Sequence, residues 1–206
     1  MTTLFLIRHA QSAANADGRI QGWLDSPLSE AGRQQVQALC ERFRSTPLDA
    51  VYASPLARAA DTAQAIAAIH NLAVILDDRL KEYNMGQWTG LNRAEIEALS
   101  PGVDLEAEHE LVVPGGETAQ EMRERVEPFV REVVGRHAGQ SVAVITHGGT
   151  LGMLVGAMIG LPVMRRHPFS FGNASVTEVT HQRGRWRLRQ LNDQCHLHPL
   201  QFNRRP

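Results

Sequence analysis

The chain predicts an α/β fold with three layers, α/β/α, around a mostly parallel central sheet. Three observations carry that expectation. Short apolar runs alternate with stretches whose apolar residues recur at helical spacing. Two of those runs, at Leu4–Ile7 and Ser141–Thr146, read as buried strands that each end abruptly in a histidine. Only near the C-terminus do two runs face each other across a short turn, as a hairpin would.

Composition bounds the rest. A chain of 206 residues with 43% hydrophobic content supports one large domain. We read 1–206 as that domain, with a lid or specificity insertion around 84–116. A net charge of −1 gives no global field to attract nucleic acid or an acidic membrane. Local positive charge must come from placed arginines, which greatly outnumber the lysines and suit bidentate recognition of oxyanions. The two cysteines, Cys40 and Cys195, argue against a disulfide scaffold and fit a reducing compartment. The apolar region Leu151–Met164 is broken by three glycines and Pro162 and is too short to span a bilayer. No signal peptide fits before Arg8. A soluble cytoplasmic protein without nucleic-acid or membrane partners is expected, and a homodimer is compatible with it.

The elements follow in order. Leu4–Ile7 is the first strand, and a polar, glycine-containing loop spans Ala13–Pro27. Ser29 caps a helix whose Val36, Leu39, Cys40 and Phe43 share a face, and which stops before Pro47. Asp49–Ala53 is a second strand. Ser54-Pro55 opens another helix, with Leu56, Ala60, Ala63, Ile66 and Ala67 on its apolar side. Leu72–Leu76 reads as a third strand leading to Lys81 and Glu82. Residues Asn84–Gly116 are irregular except for a helix over Arg93–Leu99. Thr118 and Glu121 form a capping box for a helix striped by Met122, Val126, Phe129, Val130 and Val133. Pro128 is expected to bend that helix, because it has no amide to reach the carbonyl of Glu124. Ser141–Thr146 is the fourth strand, followed by a glycine-rich helix to about Gly160. Ser175–Thr180 and Trp186–Leu191 form the hairpin.

In a parallel sheet, Ile7-Arg8-His9 and Ile145-Thr146-His147 deliver two imidazoles to one edge, where ligands bind in open α/β sheets. Taken alone, an Arg-His pair at a strand end can be a solvated pair. Two such ends, with Arg58 at a helix start and Glu82 after a strand, point to chemistry. Fixed donors around a migrating phosphoryl group lower its transfer barrier. Arg8 and Arg58 can grip its oxygens bidentately. A neutral imidazole is nucleophilic at physiological pH. Glu82 would protonate the leaving alkoxide and then activate water, a role that asks for a partly buried carboxyl.

The residues Arg8-His9-Ala10, with Asn15 and Arg19-Ile20-Gln21-Gly22, resemble the opening motif of the histidine phosphatase superfamily, which includes phosphoglycerate mutase-like proteins. Leu28–Gly32, Ser54-Pro55-Leu56-Ala57-Arg58, Leu80-Lys81-Glu82 with Gly86, Gly115-Gly116-Glu117 and Thr146-His147-Gly148-Gly149 resemble its further blocks, in order. The resemblance implies a phosphoglycerate mutase-like fold, a nucleophile at His9 and a proton donor at Glu82. It implies a phosphate pocket of Arg8, Arg58 and His147, with Asn15, Gln21 and Gly22 helping to hold the ester. No metal and no cofactor are implied. Ala10 stands where glycine is commoner, and its methyl is expected to narrow the pocket slightly. Lys81–Gly90 is similar to the short phosphatase members rather than to the glycolytic mutases, so hydrolysis of a small phosphate ester is expected.

Substrate selection is expected to fall to Trp23, Tyr83, Trp88 and the acidic segment Asn92–Val113, whose charge does not suit a bisphosphate. The tail Leu191–Leu197 resembles a late motif of several members, among them metal-independent phosphoserine phosphatases. His196 and His198 could bind metal, but a solvated tail is the expectation. Other phosphatase chemistries leave no trace: no Cys precedes an Arg by six positions, and no Asp-x-Asp, Walker loop or Gly-x-Ser-x-Gly elbow occurs. Two alternatives stay open, a phosphoglycerate mutase using the same phosphohistidine and a non-catalytic binding module on the same fold.

Overall fold

The computed structural model describes residues 1–103, 113–165 and 167–198. Six strands form one sheet. They are β1 (Thr2–Arg8), β2 (Ala50–Ala53), β3 (Val74–Leu76), β4 (Ser141–Thr146), β5 (Val176–Gln182) and β6 (Arg185–Asp193). The spatial order is β3-β2-β4-β1-β5-β6. The first four run parallel, while β5 and β6 close the edge antiparallel. The helices are α1 (Ala13–Ala16), α2 (Glu30–Phe43), α3 (Ala57–Ala68), α4 (Arg93–Leu99), α5 (Ala119–Arg136) and α6 (Gly148–Ile159).

Strand alternation sorts the core into two faces. Leu4, Leu6, Tyr52, Val142 and Val144 pack with Met122, Val126 and Phe129 of α5 and Leu151 and Leu154 of α6. Ile7, Val51, Ala53, Ala143 and Ile145 pack on the other side with Leu39 and Phe43 of α2 and Ile66 of α3. Both faces of β1 and β4 are therefore covered, which is why their sequences are continuously apolar. Each of these fully buried aliphatic or aromatic side chains contributes about 1.5–3 kcal/mol through its removal from water.

Several local expectations need correction. The third strand starts at Val74, because the Leu72 amide bonds back to the Ala67 carbonyl at the end of α3. The buried side of α3 carries Ala59 rather than Ala60, together with Arg58 and Thr62. α5 opens on the Thr118–Glu121 capping box, as expected, and continues through Pro128 to Arg136. Between 84 and 116, a short 3₁₀ turn over Gly86–Trp88 precedes α4, and a bridge between Met85 and Gly116 ties the ends of the segment together. The acidic residues Asp104, Glu106, Glu108 and Glu110, and His109 among them, lie outside the described residues. No described helix is long and apolar enough to cross a membrane.

Candidate active site

Strand register builds the site. Arg8 pairs with Thr146, and the His9 amide donates to the Thr146 carbonyl at 2.9 Å. His9 and His147 consequently leave neighbouring strands side by side, with ring centroids 5.1 Å apart. At the end of β2, the Ser54 amide donates to the Ile145 carbonyl, which places Ser54 beside His147.

Both imidazoles are buried. His9 Nδ1 lies 2.7 Å from the Ala10 carbonyl oxygen. A carbonyl only accepts, so Nδ1 carries the proton and Nε2 keeps its lone pair. Burial, then the charges of Arg8 and Arg58, hold the His9 pKa well below the usual histidine value. His147 is depressed by burial, then by His9 and the two arginines. Neutral rings are the consequence. His147 Nε2 lies 2.8 Å from Ser54 Oγ, while its Nδ1 is buried without a partner.

The two arginines are fixed by backbone. Arg58, 1% exposed, donates from Nη1 to the Leu24 carbonyl at 2.8 Å and from Nη2 to the Gly22 carbonyl at 2.9 Å. Burial lowers its pKa to about 10. Arg8 Nη1 donates to the Phe171 carbonyl. The Nε atoms of both arginines are buried without partners. Together with His147 Nδ1, the floor holds three buried nitrogens that lack a hydrogen-bond acceptor. An unpaired buried polar group costs about 1–3 kcal/mol, which an oxyanion ligand would offset.

Glu82 approaches from the far side. Its carboxylate accepts from the amides of Gly149 at 3.1 Å, Thr150 at 3.2 Å and Tyr83 at 3.0 Å. It therefore sits on the N-terminal turn of α6, where amides lack helical partners. A Cβ on Gly149 would lie 2.6 Å from Glu82 Oε1 and 2.7 Å from the Tyr83 ring, so only glycine admits this approach. The Glu82 carbonyl is held in turn by Trp23 Nε1 at 2.7 Å and Arg125 Nη2 at 3.0 Å. Arg125 is itself clamped by Glu117.

A cavity of 280 Å³ collects these groups, with Arg8, His9, Asn15, Gln21, Gly22, Arg58 and Glu82 all on its wall. His147 does not reach that wall but stands behind His9. Asn15 Oδ1 accepts from Asn173 Nδ2, and Gln21 Oε1 accepts from Ser12 Oγ. Among the described residues there is no cluster of three or more His, Cys, Asp or Glu that could hold a metal ion.

Three expectations about the site's surroundings are overturned. Trp88 does not face a substrate: it is 2% exposed, packed with Ile96 and Val113 in a small core of its own. Ala10 does not narrow the cavity, since it packs into the core under α2 and α3. The tail is not solvated at His196, whose Nδ1 meets Arg42 at 3.1 Å while Leu197 enters the core. Sequence reasoning also missed Ser54, Asn173 and Arg125. Asn173 donates to the His9 carbonyl and is itself bonded by Gln194, a residue of the late motif.

The chain was then compared with known proteins. The model of the histidine phosphatase superfamily (branch 1) matches residues 4–194. Phosphoserine phosphatase 1 of Hydrogenobacter thermophilus is 36% identical over 96% of this chain and 95% of its own. A probable phosphoglycerate mutase, GpmB, of Salmonella choleraesuis is 31% identical over 90% of this chain and 88% of its own. The solved mycobacterial glucosyl-3-phosphoglycerate phosphatase in complex with VO3 superposes with a TM-score of 0.87 at 34% identity, covering 93% of this chain and 99% of that one. The chain belongs to the histidine phosphatase superfamily.

Proposed function

We propose that this histidine phosphatase superfamily member is a metal-independent phosphomonoesterase that hydrolyses a small phosphorylated metabolite through a phosphohistidine on His9. The observation that carries the reading is the state of His9: neutral, bonded through Nδ1 to the Ala10 carbonyl, and lining a cavity with two anchored arginines. Nε2 attacks phosphorus as the ester P–O bond breaks. Arg8 and Arg58 hold the phosphoryl oxygens, whose charge is what the enzyme must stabilise, and His147 supports them from beside His9. Asn15 and Gln21 orient the ester, and Gly22 serves through its carbonyl, which fixes Arg58.

Glu82 gives a proton to the departing alkoxide. It then takes one from the water that attacks the phosphohistidine, breaking the P–N bond and freeing His9 with inorganic phosphate. A second reading, a mutase that returns the phosphoryl group to another hydroxyl, is supported by the name of the Salmonella relative. Incubation with 3-phosphoglycerate separates the two: free phosphate marks the hydrolase, and 2-phosphoglycerate marks the mutase. The mechanism is tested by His9→Ala. Turnover is expected to fall to background, with loss of the acid-labile phosphoryl mass on the peptide containing His9. Retained turnover in that variant overturns the assignment.

A further inference from the structure

Beside the catalytic cavity lies a larger one of 570 Å³, and the two share Tyr83, Met85 and Gly149 on their walls. Its size suits the organic half of a metabolite. Its remaining walls come from the first turns of α6 and from Arg165 and His167–Phe171, which follow that helix. We infer that this cavity seats the alcohol of the ester, and that Arg165 on its wall selects an alcohol carrying a carboxylate. The inference rests on the phosphomonoesterase reading above.

Arg165 is half-buried, yet it has no ion pair or hydrogen bond with a described residue, and among the described residues no acidic side chain lines the cavity. Burial lowers its pKa, as expected for a cation without a counter-charge. A ligand carboxylate supplies that charge in the bidentate geometry a guanidinium favours. Phe169 and Phe171 give the rest of the wall an aromatic surface for the carbon skeleton.

The segment is placed by His167. Its ring lies against α6 where side chains are missing: a Cβ on Gly152 would come within 2.8 Å of His167 Cδ2, and one on Gly156 within 2.8 Å of Cε1. Burial holds the His167 pKa at about 4, so the ring is neutral near pH 7 and adds no second charge. Its work is positioning. It fixes, two residues earlier, the cation that meets the substrate.

The test compares kcat/KM within two pairs of esters that differ at the carboxylate: O-phosphoserine against O-phosphoethanolamine, and 3-phosphoglycerate against glycerol 3-phosphate. Wild type is expected to favour the acid member of each pair by roughly ten- to a hundredfold. In Arg165→Met that ratio is expected to collapse toward one, mainly through KM, with Arg165→Lys intermediate. p-Nitrophenyl phosphate turnover reports that each variant is folded and that the catalytic cavity works. A wild-type ratio near one, or a ratio that survives Arg165→Met, with p-nitrophenyl phosphate still hydrolysed, overturns this inference and leaves the phosphomonoesterase reading intact. Failure to release phosphate from any of the five esters overturns both.

Discussion

The two cavities are neighbours built on opposite plans. In the catalytic one, every charged group is anchored. Arg58 and Arg8 hold backbone carbonyls, and Glu82 rests on helix amides. In the larger one, Arg165 has no ion pair or hydrogen bond with a described residue and stands outside any described helix or strand. The difference teaches how a fold can keep one reaction while changing its ester. Anchored donors pre-organise the phosphoryl transition state. The residues around His167 can be re-aimed with little cost to the donors only up to Phe171, whose carbonyl anchors Arg8.

That contrast can be broken most severely at Glu82. Glu82→Gln should lower kcat about a hundred- to ten-thousandfold on alkyl phosphates. In kcat/KM, which reports phosphorylation of His9 and not the shared hydrolysis of the phosphohistidine, the same variant should lose far less on p-nitrophenyl phosphate, whose leaving group needs no proton. Equal losses on both would remove Glu82 from the acid role. Next comes Arg58→Met, expected to reduce kcat/KM about a hundred- to a thousandfold. The loss should be uniform across esters, because the phosphoryl group is common to all of them. An ester-dependent loss in steady-state assays would show that the two cavities are not separable.

A smaller effect is expected from Arg125→Met, which leaves His9 and the arginines untouched but frees the Glu82 carbonyl. We expect kcat on alkyl phosphates to fall roughly tenfold, by misplacing the acid. KM should barely move, and p-nitrophenyl phosphate should be spared in the same manner as with Glu82→Gln. A loss shared by both esters would instead mark Arg125 as structural only.

The mildest test concerns pH and stability. His9, His147, His167 and His196 are all held below the ordinary histidine pKa of about 6.5, the last two at about 4. Between those values the unfolded chain binds protons that the folded chain refuses, so stability rises with pH and is lost on acidification from about 6.5 toward 4. Asp193, held at about 2 by the Cys195 amide and Arg42 against the opposing effect of burial, adds its loss only at lower pH. Thermal melts across pH 4–7 should show the decline, and His196→Gln should make it shallower. A flat profile would mean that these rings are not kept neutral by the fold.

The half of the site nearest the sheet was legible because it sits where apolar runs stop. Arg8-His9 and Thr146-His147 end buried strands, and strand register then forces them together. What could not be read depends on packing between distant segments. Ser54 is partnered with a ring 93 positions away, and Asn173 with a backbone carbonyl 164 positions away. No local pattern encodes either pairing. Trp88 misled for a related reason: an aromatic in an irregular segment has no period to reveal that Ile96 and Val113 enclose it. Arg165, Phe169 and Phe171 follow a helix in a stretch with no motif to mark them, so their place beside the catalytic cavity emerged only from the fold.

One helix touches both cavities. α6 meets Glu82 at Gly149 and seats His167 as far along as Gly156, two turns later and roughly 10 Å away along the axis. A packed helix of this kind does not stretch. It therefore acts as a ruler laid between the proposed proton donor and the residues inferred to grip the alcohol, and on that reading the esters it accepts are graded first by length.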